Sequence, residues 1–156
     1  FPIEEKLVDL RECLQNAVGL SVEIISHLKV KLLPQDFSAQ VKADPDLLAK
    51  AFSKLIVYCA ESRTASSEVK IELSNVSDSV YLLRFPFLAD PNKHAIVFDK
   101  VKMLESSGED EKGDELSLAI AKTIIDMVGG KISVVNDENQ GDSAFVLELP
   151  RHVVDV

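Results

Sequence analysis

The stretch "GDELSLAIAKTIIDMVGGKISVV", residues 113–135, decides the fold class of this chain. Its apolar residues first recur at helical spacing, which predicts a helix. The pair Gly129-Gly130 is a typical helix end, and the alternation after it predicts a strand. The glycine-bearing approach to this helix has the outline of a phosphate-binding loop, but Glu115 and Ser117 stand where such a loop needs glycine. The stretch therefore raises the question whether a nucleotide site is present or whether larger side chains have closed it.

The rest of the chain supplies the other elements of an α/β domain. Asp44 is a natural N-cap, and Pro45 suits the first position of the helix that follows. We predict helices over 9–29 and 43–62, a helix or helical turn over 91–105, a polar loop over 106–115, and strands over 30–34, 38–43, 68–74, 79–88, 131–137 and 143–150. The strands 68–74 and 79–88 are expected to form a hairpin. The order predicts an α/β (α+β) two-layer sandwich, with one mixed sheet and about three helices on one face.

Apolar stripes identify the faces of the two earlier helices that we expect to be buried. In the first helix the stripe consists of Leu10, Leu14, Ala17, Val18, Val22 and Ile25. In the second it consists of Leu48, Phe52, Leu55, Ile56 and Cys59.

Length and charge exclude several classes of protein. The 156 residues suit one domain, and the apolar fraction of 46% with 28% charged residues is typical of a globular chain. A net charge of −9 disfavours nucleic acid, whose binders cluster Lys and Arg, and anionic membrane surfaces. We therefore expect no nucleic acid partner and no direct membrane contact from this segment.

The cysteines and the chain start bear on location and completeness. Cys13 and Cys59 lie in apolar helical patterns without disulfide or metal spacing, which predicts a reducing cytoplasm. No apolar run reaches the roughly 20 residues that a membrane span needs. The start "FPIEEKLVDL" lacks a signal-peptide pattern and begins without Met, which indicates a fragment of a longer chain or a processed start.

Three stretches together resemble a known family: "ADPDLLAKAFSKLIVYCAES" (43–62), "IVFDKV" (96–101), and the run from 113 to 150 that ends in "LELP". They resemble the ATP-binding catalytic domain of sensor histidine kinases, a member of the GHKL superfamily with the Bergerat fold. The resemblance covers Phe1 to Pro150, and "FPIEEKLVDLRECL" is similar to the segment that follows the dimerisation helices in this family. It implies one domain over 1–156, a nucleotide site built from four short boxes, and a role in two-component phosphorelay signalling.

The first box of the family carries two Asn residues on a helix, the second of which binds Mg²⁺, and a basic residue three places later. Here the run reads "KLIVYCAE", so the resemblance places Lys54, Tyr58 and Glu61 at these three positions. A phenol is a poor ligand for a hard cation. A carboxylate near a triphosphate repels it. The first box is therefore expected to have lost its metal.

The second box should be Asp-x-Gly-x-Gly, whose Asp reads the adenine amino group. "RFPFLAD" stands there instead, with Phe85, Pro86 and Phe87 in the region and Asp90 a few residues late. Losing a charged hydrogen-bond acceptor for a buried donor costs about 1.5–3 kcal/mol of binding free energy. We expect the phenylalanines to close the former adenine pocket and to leave little cavity beneath the loop. An open cleft lined by Tyr58, Phe87 and Ser143 would contradict this.

The third box, a glycine-rich phosphate cradle, stands at "GDELSL" (113–118). Gly113, Leu116 and Leu118 match the pattern, whereas Glu115 and Ser117 replace two glycines. The fourth box, a late glycine turn, is kept in part.

The fourth box retains Gly141 and Ser143. The segment 105–115 corresponds to the ATP lid of the family, where Lys or Arg often reach the phosphates. It carries Glu105, Glu109, Asp110, Glu111, Asp114 and Glu115 against Lys112 alone. We interpret it as a degenerate lid, either a solvated loop or a docking element for a basic partner.

The three histidines are not expected to accept phosphate, because the phosphorylated His of the family lies on a separate dimerisation helix, in a His-(Asp/Glu) motif that this chain lacks. His27 is expected to end the first helix, His94 to lie on a surface turn, and His152 in the tail. No pair has the spacing of a zinc site. No catalytic residue is assigned.

These departures predict a non-catalytic, pseudokinase-like signalling domain without a cofactor, working by protein contact in the cytoplasm. The expected partners are its own dimerisation helices, a response-regulator receiver domain or another kinase, and upstream helices would allow a dimer. The alternative is a divergent but active kinase domain that binds ATP weakly or without Mg²⁺, with Lys54 and Lys112 meeting the phosphates. A pocket repurposed for another small ligand is a third hypothesis.

Overall fold

The computed structural model describes residues 5–34, 39–62, 68–74, 79–88, 113–136 and 142–152, apart from the side chains of 113–115, 136 and 142. Its elements in chain order are β1 (Lys6–Asp9), α1 (Leu10–Val22), β2 (Lys29–Leu33), β3 (Gln40–Ala43), α2 (Pro45–Glu61), β4 (Glu68–Ser74), β5 (Val80–Leu88), α3 (Gly113–Met127), β6 (Lys131–Asn136) and β7 (Asp142–Pro150). The helix predicted over 91–105 falls outside the described residues.

A five-stranded mixed sheet in the order β2-β4-β5-β7-β6 forms one layer of the fold. β2 runs parallel to β4, and the remaining neighbours are antiparallel. The predicted pairing of 68–74 with 79–88 is confirmed by the antiparallel β4–β5 register. The longest pairing joins β5 to β7, from Val80 opposite Pro150 to Leu88 opposite Asp142.

The three helices pack on one face of this sheet, with α2 between α1 and α3. Along β5 the side chains alternate, so that Tyr81, Leu83, Phe85 and Phe87 are buried beneath the helices. The predicted stripe of α2 is wholly buried, and Asp44 caps the helix by accepting hydrogen bonds from the backbone N–H groups of residues 46 and 47. The two-layer α/β sandwich is thus confirmed.

A second, two-stranded sheet was not predicted. β1 pairs antiparallel with β3, so the strands over 30–34 and 38–43 belong to different sheets. The backbone N–H of His152 donates to the carbonyl oxygen of Gln40 and ties the end of the main sheet to β3. None of the described helices has the length and apolar character needed to span a membrane.

The first helix ends earlier than predicted. Asp9 caps α1 as expected, but the helix stops at Val22 rather than at residue 29. The β-branched residues Val22, Ile24 and Ile25 lose side-chain freedom in a helix and favour its end here. The expectation that Val22 is buried is wrong, because 41% of it is exposed. His27 is likewise not at a helix end, but in an exposed turn beyond it.

Candidate functional site

The three residues of the first box lie on α2. Lys54, Tyr58 and Glu61 are four and three residues apart, so they share one side of the helix. Lys54 and Tyr58 are half-buried, and Glu61 is exposed at the last turn. The helix therefore presents an ammonium, a phenol and a carboxylate in a row.

An aromatic cluster of Tyr58, Phe87 and Phe145 fills the space between α2 and the sheet. The ring of Tyr58 meets Phe87 edge-on at 5.5 Å between centroids and Phe145 at 5.4 Å, and the latter two rings stack at 4.6 Å. Such pairs add about 0.5–1.5 kcal/mol beyond the area they bury. Tyr58 is thus held by two rings from the central strands.

Phe85 of the second box and Ser143 of the fourth box lie in the same inner layer, between the helices and the sheet. Phe85 is fully buried, and its ring centroid is 5.9 Å from that of Phe52. Ser143, opposite Phe87 in the β5–β7 pairing, is also buried. Phe85 therefore belongs to the core, where it packs against α2.

A groove of about 210 Å³ opens on the outer side of α2 and is named the α1–α2 groove here. Its described lining comprises Leu20, Ile24, Lys50, Ser53, Lys54, Val57, Tyr58 and Ser117. It is smaller than the roughly 300–1,000 Å³ of typical ligand pockets. Phe87 and Ser143 do not line it. The prediction of little cavity beneath the loop 105–115 concerns a region whose residues 105–112 lie outside the described part of the chain.

Two lysines stand one helical turn apart at the α1–α2 groove. Partial burial lowers the pKa of Lys54, and the neighbouring charge of Lys50 lowers this pKa further. Among the described residues of the lining, none carries a carboxylate that would offset these charges. The groove is therefore locally basic in a chain of net charge −9.

The third box lies in the first turns of α3. The helix begins at Gly113, so residues 113–115 are helical and the predicted loop ends earlier than expected. The acidic residue types at positions 114 and 115 favour a helix start, because negative charge near the N-terminus of a helix is stabilising. Leu118 is buried, Leu116 is 45% exposed, and Ser117 lines the α1–α2 groove. Gly141 of the fourth box lies outside the described residues.

The groups at the first box do not fit Mg²⁺, the ion that the fold family implies. Mg²⁺ prefers carboxylate, carbonyl and water oxygens. The position assigned to its ligand holds the phenol of Tyr58, and the ammonium of Lys54 lies one turn away. Within the described ranges there is also no group of three His, Cys, Asp or Glu side chains that could hold a metal ion.

Several residues of the α1–α2 groove were missed by the sequence interpretation: Leu20, Ile24, Lys50, Ser53 and Val57. A signal existed for the first two, because they are apolar residues outside the buried stripe of α1. A further contact hidden from the sequence joins the hydroxyl groups of Ser21 and Ser53, buried 2.9 Å apart between α1 and α2.

Comparison with known proteins gives one sequence relative and many similar structures. The chain is 32% identical over 131 residues to the sensor protein VanS of Enterococcus faecium, a match that covers 82% of this chain and 33% of that protein. The matched region thus spans about a third of the relative. No family model matches the chain.

The structural matches are close in shape and distant in sequence. The mycobacterial sensor histidine kinase MprB superposes with a TM-score of 0.73 at 17% identity, covering 97% of this chain and 100% of that one. The catalytic domain of the histidine kinase ThkA gives 0.69 at 23%, with coverages of 95% and 98%. Full-length ShkA in complex with AMPPNP gives 0.71 at 16%, with coverages of 100% and 33%.

The chain has the fold of the histidine kinase catalytic, ATP-binding domain, of the GHKL type. Its sequence relative is a sensor protein. The family resemblance drawn from the residues is confirmed.

Proposed function

We propose that this chain is a pseudokinase-like domain of two-component phosphorelay signalling that acts through protein contact, without productive ATP binding. Its partners would be the dimerisation helices of its own parent chain, a response-regulator receiver domain or another kinase, in the cytoplasm. The segment 105–115 would be a degenerate lid. The vestigial nucleotide pocket would consist of the residues that the resemblance assigns to the four boxes: Lys54, Tyr58, Glu61, Phe85, Phe87, Gly113, Glu115, Leu116, Ser117, Leu118, Gly141 and Ser143.

The packing of Tyr58 is the observation that carries this proposal. A metal ligand must point an oxygen at the ion, whereas this side chain sets its ring edge-on against Phe87 and Phe145. Replacing such a ring by a small polar group would leave a void, which costs stability in proportion to its volume. The aromatic cluster therefore supports a role for position 58 in packing.

The charge pattern supports the same proposal. Glu61 stands where the family has a basic residue, and the acidic residues of 105–115 lie on the chain segment that the family uses to reach phosphates. Each change alone is tolerable, but several kcal/mol of lost binding would move a micromolar site towards millimolar.

Calorimetric titration of the intact chain with Mg·ATP, Mg·ADP and metal-free ATP tests the proposal. We expect no saturable heat at micromolar nucleotide. Thermal unfolding gives an independent readout, because a ligand at 100 times its Kd would stabilise the fold by about 2.7 kcal/mol. Low-micromolar binding that requires Mg²⁺ would contradict the pseudokinase assignment.

A divergent active kinase domain is the second candidate, and the lysines of the α1–α2 groove favour it. Lys50 and Lys54 stand beside Ser117 of the third box, where ammonium groups could meet phosphates. This candidate predicts ATP binding that persists without metal and weakens at least tenfold in Lys54→Ala. The matched control is Lys70→Ala, at an exposed position of β4, and this variant should bind nucleotide as the unchanged chain does.

A further inference from the structure

The α1–α2 groove combines an apolar side with a basic side. On the apolar side Leu20 is 45% exposed and Ile24 is 64% exposed, and both border the groove beside Val57. Large aliphatic side chains gain free energy when they leave water. This side of the groove would therefore favour an occupant with apolar side chains.

The basic side consists of Lys50 and Lys54 on α2. Like charges four residues apart on a helix destabilise each other. Within the described part of the chain, no hydrogen bond or ion pair joins either ammonium to a partner, and no described lining residue is acidic. An occupant that brings carboxylates would remove this repulsion and pair both charges.

The spacing of the lysines indicates what kind of occupant fits. Four residues on α2 correspond to a rise of about 6 Å, which is also the rise between carboxylates four residues apart on a facing helix. The groove is open to solvent and smaller than most pockets that enclose a small molecule. These features match helix-in-groove recognition, in which an amphipathic helix lays its apolar face into a cleft.

We propose that the α1–α2 groove docks an amphipathic helix of a partner protein, with apolar side chains against Leu20 and Ile24 and acidic side chains against Lys50 and Lys54. This inference rests on the proposed function, because it gives the protein contact a surface and a chemical type. A second copy of this chain is disfavoured as the partner, since two chains of net charge −9 repel.

Synthetic helical peptides test the docking directly on the intact chain. The probe carries leucines at helical spacing with glutamates four residues apart on one flank, and its counterparts replace glutamate by lysine or scramble the order. Fluorescence anisotropy should show that the acidic peptide binds at least tenfold more tightly than either counterpart. Backbone amide shifts should locate the binding at α1 and α2.

Charge reversal supplies the matched comparison. The double variant Lys50→Glu and Lys54→Glu should weaken the acidic peptide at least tenfold, and Leu20→Ser with Ile24→Ser should also weaken it. Lys29→Glu with Lys31→Glu, on exposed positions of β2, should change affinity less than twofold. All variants must retain the helical circular dichroism of the unchanged chain. An amide-shift map of the unchanged chain reports on the groove even where a variant fails to fold.

Four outcomes would overturn the inference. The first is equal binding of the acidic, reversed and scrambled peptides, and the second is self-association that Lys50→Glu and Lys54→Glu abolish. The third is displacement of the peptide by nucleotide. The fourth is peptide binding only after the acidic residues of 105–115 are neutralised, which would assign the groove to this chain's own segment.

The two proposals fail in different experiments. Failure of the peptide test without nucleotide binding would leave the proposed function standing, whereas metal-coupled nucleotide binding would contradict the proposed function itself.

Discussion

The thiol of Cys13 lies where α1 meets the start of α2, with its sulfur 3.7 Å from the carbonyl oxygen of Pro45. Burial raises the pKa of Cys13 from 9.0 to about 12, with Asp46 and Glu12 adding smaller electrostatic contributions. The thiolate is the reactive form of cysteine, so this side chain should be inert in the folded protein. A hydrogen-bonded, protonated thiol here serves packing.

The raised pKa predicts how stability changes with pH. Above pH 9.0 the unfolded chain releases the Cys13 proton while the folded chain retains it, so the free energy of unfolding falls as pH rises through 9.0 towards about 12. The slope from one group is at most about 1.4 kcal/mol per pH unit. Urea unfolding at pH 8, 9 and 10 measures it.

Cys13→Ala is the control, since it should lower stability at every pH but flatten the alkaline decline. Thiol titration gives a second check: Cys13 and Cys59, both buried, should react with a thiol reagent only in denaturant. Rapid labelling of Cys13 in the native protein would contradict the prediction.

Among the secondary structure elements, α2 has the clearest start. The Asp44 carboxylate accepts hydrogen bonds from the backbone N–H of Asp46 at 3.0 Å and of Leu47 at 3.2 Å. Asp44→Ala should therefore lower the free energy of unfolding by about 1 kcal/mol, within the 0.5–2 range of lost caps. Chemical denaturation measures the change.

Asp44→Asn should retain most of this stability, because an amide oxygen can still accept both bonds. Equal losses from Asn and Ala would show that charge, rather than the cap, is responsible.

The link from α3 to β6 depends on two glycines with different roles. Gly129 has φ +82°, and its N–H donates to the carbonyl of Asp126 while that of Gly130 donates to Ile125. These bonds form a Schellman motif. At Gly130 a Cβ would lie 2.6 Å from the carbonyl oxygen of Glu148 in β7.

Gly130→Ala should accordingly destabilise the protein by about 1–3 kcal/mol, the cost of overpacking, since the obstacle is backbone. Gly129→Ala should cost about 1 kcal/mol through its left-handed conformation. Thermal unfolding of both variants compares them. A smaller loss at Gly130 than at Gly129 would contradict the close approach to β7.

The sequence predicted α2 and the Gly-Gly helix end because local signals determined them: a cap, a proline and an unbroken stripe. It missed β1, since Lys6–Asp9 is only four residues long and is stabilised by pairing with the distant β3. It extended α1 too far, because the apolar spacing continues to Ile25 after the helix has ended. Strand pairing depends on tertiary contacts that apolar periodicity does not encode, and the end of α1 lies among β-branched residues whose apolar spacing conceals it.

At the scale of the whole molecule, the excess of acidic residues predicts a salt dependence. A net charge of −9 destabilises a folded chain by self-repulsion, which dissolved ions screen. The melting temperature should rise as sodium chloride increases from low millimolar to physiological concentration. Differential scanning calorimetry measures this, with sucrose at matched osmolality as the uncharged control. A fall in melting temperature would indicate that native ion pairs outweigh the repulsion.

The sequence placed two residues of the candidate site on one helix but did not predict what surrounds them. The resemblance assigned Lys54 and Tyr58 to one helix face, and the helix places both there. It did not reveal that Tyr58 packs edge-on against both Phe87 and Phe145, because those rings come from strands far apart in the chain. Nor did it reveal the α1–α2 groove, which Leu20 and Ile24 line together with residues of α2.

The nine residue pairs between β5 and β7 have a consequence for how this domain can diversify. Within the described residues, this pairing alone joins the strand before residues 89–112 to a strand that follows them. As a general relation, doubling the length of a loop costs only about 0.6 kcal/mol of loop-closure entropy. Changes of sequence and length between β5 and α3 can therefore accumulate during evolution while the β5–β7 pairing is inherited unchanged.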